Sequence, residues 1–390
     1  MAKLKVSFFV HDLADNPVGR TIALANALKS EYDVEVLGFL ISDDQVYRPY
    51  RDLFEYKTVR CGHGLPNLKR AMKPLYSMCT GDVIYACKPL ITSFLPALFA
   101  AGFPKQRPLF LDVDDDHWGY PTAKELLQDP FCGARSVDGW AYSRLLHPFT
   151  WLLDGATVVS TVLQKRYGGI LLRHGPDEKE FDPARPDLLD VKQLRERFGL
   201  PQDRKLLLFA GTPRAHKGIY TLQQALLRPE SADWDLALVS PLDHPDVLAI
   251  RQALGNRCHL LGFRSYTDMP ALLAATDAVP LPQMRVPFAE GQLPAKLFDA
   301  MSMAKPIIAS QVGDLGKVLG EKRGWVIEPN QPEQLAAALA EVSANPTEAA
   351  ARGSKAREWF LAEACGTVIR DRLHAMIQNS LVRYPAITRR

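Results

Sequence analysis

Short apolar runs alternate with amphipathic stretches along the whole chain. Lys5–Val10, Val34–Leu40, Val83–Ala86, Leu109–Val113 and Ala156–Ser160 read as strands, with Arg20–Leu28 and Ile91–Ala101 as helices among them. The second half repeats the pattern. Its strands are expected at Lys205–Ala210, Leu236–Val239, His259–Leu261, Ala278–Leu281, Pro306–Ala309 and Trp325–Ile327, with a helix over Ile219–Leu227. Strands and helices in this order predict an α/β chain whose sheets are mostly parallel and covered on both faces. In such sheets ligands bind outside the carboxyl ends of the strands. The Ala-rich stretches Pro332–Ala350 and Ala356–Val382 are expected to be helical.

A chain of 390 residues is long enough for two domains, each with its own core. The Pro-rich, charged segment from His174 to Asp190 reads as the connection. The boundaries expected are a first domain over 1–175, a linker over 176–190, a second domain over 191–365 and a terminal helix over 366–390. The first apolar run, Val6–Val10, is too short for a secretory or membrane-spanning segment and reads as a buried first strand. The six cysteines are scattered, without a C-x-x-C pair or a cluster with histidines, so reduced thiols in a cytoplasm are expected and no metal. A net charge of +3 does not argue for nucleic acid.

Two segments carry the chemistry. In LLLFAGTPRAHKG, Leu206–Gly218, an apolar strand ends in a turn bearing Gly211, Thr212, Arg214 and Lys217. Gly211 and Gly218 allow a tight turn and a close approach of backbone to ligand. Arg214 can grip phosphate oxygens bidentately and Lys217 adds a point charge. In EGQLPAKLFDAMSMAKPIIAS, Glu290–Ser310, a loop through Gly291, Gln292 and Leu293 enters a helix presenting Lys296 and Asp299 one turn apart. The amides at that helix start suit a second phosphate oxygen, and the carboxylate suits a ribose. Together they predict a site for a nucleotide diphosphate sugar. Either segment alone also reads as an ordinary surface turn, with Lys296 and Asp299 forming an i,i+3 salt bridge.

At these residues the chain resembles family 4 of the retaining glycosyltransferases. GTPRAHKG, Gly211–Gly218, is similar to that family's Gly-x-x-x-x-x-Lys-Gly segment, although the Arg is Arg214 and the residue directly after the glycine is Thr212. LPAKLFDAMSMAKPIIAS is similar to the helix and strand ending the family's Glu-x7-Glu motif. Asp299 falls at the second Glu, and Glu290 lies one position before the first, which falls on Gly291. LLGFRSYTDMPALLAATDAVPLPQ resembles the family's base-binding turn, helix and strand, which places Arg264 beside the base. The resemblance implies a GT-B fold, two facing Rossmann-like domains with a deep interdomain cleft. It implies transfer, with retention, from a UDP- or GDP-linked sugar to a glycan, lipid or small-molecule acceptor, without cofactor or metal. The terminal helix is expected to cross back to the first domain. Arg214, Lys217, Asp114 and Glu290 are the expected catalytic residues.

Asp114 falls where the family has a histidine, within LDVDDDHW, Leu111–Trp118. Asp112 and Asp114 are expected to share a face at the strand's end, one of them meeting a sugar or acceptor hydroxyl; loop or helix capping is the alternative. Arg20 and Lys88 are further cleft-edge candidates. From Tyr56 to Gly81 there is no acid, while Lys57, Arg60, Lys69, Arg70 and Lys73 alternate with apolar residues. This stretch suits peripheral contact with an anionic membrane, a solvated helix, or an anionic acceptor. The rival from another class is a catalytically silent nucleotide-sugar-binding subunit.

Overall fold

Both faces of the first strand, β1 (Lys5–Val10), are apolar. Phe8 and Val10 point into one core and Phe9 to the other side, all at most 1% exposed. Such a strand can only lie inside a sheet covered on both faces. In the computed structural model, which describes residues 3–116 and 140–388, β1 pairs in parallel with β2 (Asp33–Leu40) on one side and β4 (Val83–Cys87) on the other. With β3 (Tyr56–Arg60), β5 (Leu109–Val113), β6 (Gly155–Val158) and β7 (Ile170–Leu171), the order is β3-β2-β1-β4-β5-β6-β7. Helix Val18–Leu28 and the terminal helix Gly366–Leu381 cover the same core, where Leu24 and Leu28 join Leu373 and Ile377. Residues Gly366–Arg390 therefore belong with Met1–Arg173 in one compact unit.

The other unit is His174–Cys365. Its strands are β8 (Lys205–Ala210), β9 (Trp234–Val239), β10 (Cys258–Leu260), β11 (Val279–Leu281), β12 (Ile307–Ser310) and β13 (Trp325–Ile327). They form two parallel sheets, β10-β9-β8 and β11-β12-β13, joined by a parallel bridge between Leu207 and Ala278. The strand order therefore reverses between β8 and β11, as it does between β1 and β4 in the first unit. These are the switch points at which doubly wound sheets bind ligands.

Several expectations change. Residues 176–190, expected as a linker, pack as part of the second unit: Phe181 is 1% exposed and packs on Tyr266, while Arg357 bonds the Phe181 carbonyl and Asp182. The long Ala-rich stretches are interrupted. Asn345 ends Pro332–Ala344 and Pro346 starts Pro346–Glu363, a proline being suited to a first helical turn. Strand β3 was hidden within the basic stretch. There Lys57 pairs with Glu35 at 2.6 Å, and Leu68, Ala71, Met72 and Leu75 of helix Leu65–Ser77 are buried. Leu68, Met72 and Leu75 of the expected membrane contact are thus core, while Leu65 is exposed and Tyr76 half-buried.

Arg20 does not face a ligand. It is 5% exposed and grips Asp112 through two bonds, of 3.0 and 2.8 Å, while its other donors meet the carbonyls of Leu172 and Arg173. Thr157 donates to the same carboxylate at 2.6 Å. The pair welds helix Val18–Leu28 to β5 and to the chain leaving β7. Removing one member of such a pair strands the other charge in the interior. We expect Arg20→Met to lower stability by about 3–5 kcal/mol in denaturant unfolding; a loss below about 1 kcal/mol would show that Asp112 finds other compensation.

Candidate functional site

The apolar strand β8 delivers Gly211 to the carboxyl edge of its sheet. With φ of +110° this residue turns the chain, its amide held by the Val239 carbonyl at 2.8 Å. Arg214 is exposed, and Ala215–Lys217 form one 3₁₀ turn. Lys217 is half-buried and donates to the Thr212 carbonyl at 2.8 Å, closing the turn. Gly218 has φ of +71°, and a Cβ there would lie 1.6 Å from the Pro282 carbonyl oxygen. Only glycine lets the turns after β8 and β11 touch. The Met284 amide completes that contact by donating to the His216 carbonyl at 2.9 Å. The basic turn is therefore fixed at the switch point of the second unit.

Helix Ala295–Ser302 supplies the next two groups. The Lys296 ammonium lies 3.9 Å from the centre of the Phe209 ring, a cation–π contact with a core residue of β8. Burial holds its pKa well below the usual lysine value and the charge of Lys217 lowers it further, against the pull of Asp299. Asp299 is 6% exposed and accepts a 2.9 Å bond from the Tyr266 hydroxyl, so Tyr266 takes the place of the expected Lys296 salt bridge. Burial raises the Asp299 pKa to about 7, although Tyr266 and Lys296 act to lower it.

The loop before this helix departs from expectation. Pro287–Gly291 form a short helix, and the Gln292 amide donates back to the Ala289 carbonyl at 3.1 Å, so that amide is not part of an open anion cradle. Gly291 and Leu293 are buried, and Pro294 is the N-cap of the following helix. Glu290 accepts from the Gly313 amide at 2.9 Å and lies 3.4 Å from Arg285, which ties it to the turn after β12. Arg264 bonds the Leu261 carbonyl at 3.0 Å and lies over the Phe198 ring. Three polar groups missed in the sequence end buried at strand carboxyl ends without a hydrogen-bond partner among the described residues: the Ser240 hydroxyl after β9, the Gln283 carbonyl oxygen after β11 and the Ser310 hydroxyl of β12.

In the first unit the acids after β5 disperse to separate partners. Asp112 holds Arg20, Asp116 contacts Arg166 and Tyr167, and Lys88 bonds Asp114 and Asp115 at 2.6 Å each. Lys88 is 5% exposed at the end of β4 and has φ of +75°, a conformation costly for a side-chain-bearing residue. Burial raises the Asp114 pKa to about 6, with Asp115 and Asp112 pushing the same way against Lys88. His117 and Trp118, which close the acidic segment, lie outside the described residues.

Comparison with known proteins now bears on this geometry. Residues 190–359 match the family model described as glycosyl transferases group 1. That span carries β8 to β13 and every basic and acidic group of the second-unit site. The chain is 26% identical to a 2-deoxystreptamine glucosyltransferase of Streptomyces kanamyceticus over 247 residues, 61% of each protein. It is 28% identical to a GDP-mannose-dependent alpha-(1-6)-phosphatidylinositol monomannoside mannosyltransferase of Mycolicibacterium smegmatis over 223 residues, 53% of this chain and 58% of that one. The matches thus span roughly three fifths of these relatives' length. Among solved structures, Anabaena HepE in complex with UDP and glucose aligns over 96% of this chain and 99% of its own, with a TM-score of 0.71 and 17% identity. A glycosyltransferase from Rickettsia africae aligns over 98% and 99%, with a TM-score of 0.70 and 16% identity. The fold is GT-B, built from two Rossmann-like units.

The Asp299 carboxyl makes a measurable signature. Its folded pKa of about 7 exceeds its unfolded value, so the folded state holds this proton more tightly. That preference stabilises the fold below the unfolded pKa and is lost as pH rises through about 7. Each pH unit in that window costs up to about 1.4 kcal/mol. Lys296 acts in the opposite sense, so Asp299→Asn isolates the carboxyl. The Asn variant should resist urea better than wild type at pH 8 and no better at pH 5; equal destabilisation at both would contradict the assignment.

Proposed function

We propose that the chain is a glycosyltransferase that moves a sugar from a UDP- or GDP-linked donor to an acceptor hydroxyl, with retention of anomeric configuration. The observation that carries this reading is the pairing of Lys217 and Lys296 at the β8–β11 switch point, one turn from Asp299. Lys296, whose pKa is lowered by burial and further by the charge of Lys217, forms with it a place where a diphosphate is worth more than water. Arg214, exposed at the rim of the same turn, adds a bidentate donor. Asp299, held by Tyr266, offers its remaining lone pairs to a ribose. Ser240, Gln283 and Ser310 offer further polar groups along the same edge, and a bound sugar nucleotide would satisfy groups that are costly to leave unmade.

In the step proposed, the bond between the anomeric carbon and the leaving phosphate oxygen breaks while a bond to the acceptor oxygen forms on the same face. The acceptor proton passes to the departing phosphate. Lys217, Lys296 and Arg214 steady the negative charge that grows on it. No cofactor is required, and the cations perform the electrostatic task that a metal performs elsewhere. Asp114, with a pKa of about 6, is suited to accept a hydrogen bond from an acceptor hydroxyl at neutral pH. Glu290 positions the turn at Gly313 and through it the floor of the donor site. The relatives named for 2-deoxystreptamine and for phosphatidylinositol monomannoside support a hydroxyl acceptor as a class. A cytoplasmic setting fits donors of this kind, and among the described residues no helix is long and apolar enough to cross a membrane.

The test is Lys217→Ala assayed with a panel of UDP- and GDP-sugars, following release of the nucleotide with and without added acceptor. Turnover should fall by roughly two orders of magnitude, as for loss of one electrostatic donor. Near-normal turnover in the variant would sink the assignment.

A further inference from the structure

Large apolar side chains stand in water at one end of the first unit. Phe103 is 91% exposed, Trp151 77%, Leu145 67% and Phe99 52%. Phe103 follows helix Ile91–Ala101, and Trp151 lies in the 3₁₀ turn His147–Leu152 that leads into β6. They are neighbours. Lys105, two residues past Phe103, bonds the Leu152 carbonyl and reaches Asp154 at 2.8 Å. Tyr76, in the last turn of helix Leu65–Ser77, stacks on Phe99 with ring centres 5.5 Å apart. All of these sit at the amino ends of β4, β5 and β6, while Lys88 and Asp114 lie at the carboxyl ends.

Among the described residues of the segments that build this face, the exposed charges are basic. Lys73 is exposed, Arg383 is 59% exposed, and Arg144 lies in the helix that carries Leu145. The segments that build the face, 73–81, 99–109, 140–155 and 376–388, contain a single acid, Asp154. Its side chain is 1% exposed and bonded by Lys105, Arg383 and Tyr384. Asp82, at the start of β4, is turned to the Lys5 amide. Aromatic tips and cations with no exposed acid among these segments fit a surface that is apolar beneath and anionic above.

We propose that this end of the first unit docks on an anionic lipid bilayer, with Phe103 and Trp151 entering the interfacial layer and Lys73 and Arg383 meeting headgroup phosphates. Aromatic side chains at that depth bury an apolar ring and keep polar edges in the headgroup layer. A second copy of the chain fits less well. A two-fold interface would bring the same cations together, and these segments supply no exposed acid to pair them. Docking here uses the amino ends of the strands, opposite the carboxyl ends that carry Lys88 and Asp114. It overlaps the expectation for residues 56–81 only at Lys73 and Tyr76, because Leu68, Met72 and Leu75 of that helix are core.

The experiment is flotation of the full chain with vesicles of phosphatidylcholine alone or mixed equally with phosphatidylglycerol, beside gel filtration. Wild type should float with the mixed vesicles only, and less at high salt. The Phe103→Ser/Trp151→Ser variant should lose at least about tenfold in partitioning with an unchanged melting temperature, since both side chains are exposed. Lys73→Glu should weaken binding to the mixed vesicles without creating binding to the neutral ones. Failure of wild type to float, or equal flotation of the double variant, would overturn the proposal. So would a wild-type dimer that the double variant renders monomeric, which would give the face to a second copy.

Discussion

The charge of Lys217 pressing on Lys296 is the constraint around which the second unit is arranged. Burial lowers the Lys296 pKa and the charge of Lys217 lowers it further, and three features hold the two side chains in this arrangement. Gly218 lets the turn after β8 press on Pro282, which no other residue would allow. The Phe209 ring, rigid in the core, supports Lys296 from below. Asp299, which would neutralise the pair if fully ionised, is buried enough to keep its proton near neutrality and is bonded by a tyrosine instead. The folded protein therefore stores positive potential at a switch point, and a diphosphate is the group that releases it.

The first unit treats charge in the opposite way. Asp112 is consumed by Arg20, and Asp114 and Asp115 share Lys88. These pairs fix helix Val18–Leu28, β4 and β5 with respect to one another, and the left-handed backbone at Lys88 shows what that arrangement costs. Asp114 combines a raised pKa with a position at the carboxyl edge, beside the first unit's own switch point.

Much of this was legible in the sequence, for local reasons. Continuous apolar runs such as Lys5–Val10, Leu109–Val113 and Lys205–Ala210 leave no exposed face, so their strand boundaries coincide with the structure. The glycines and cations of Gly211–Gly218 lie in one turn, so their proximity could be read directly. What was hidden depends on contacts distant in sequence. Tyr266 meets Asp299 only because the turn after β10 folds against helix Ala295–Ser302. Arg20 looked like a cleft-edge residue because Asp112, which claims it, is far along the chain. Glu290 looked like a sugar ligand because the partner that claims it, the Gly313 amide, belongs to the turn after β12. Strand β3 was masked by its charges, whose partner Glu35 lies on the neighbouring strand.

The most direct test of the central claim is the proton count on nucleotide binding. Titration calorimetry with UDP and GDP at pH 8, in buffers of different ionisation heat, measures it. Burial and the charge of Lys217 both lower the Lys296 pKa and an arriving diphosphate raises it, so the account predicts net proton uptake that Lys296→Met reduces. Binding without proton uptake, or no binding of either nucleotide by folded protein, would contradict the account.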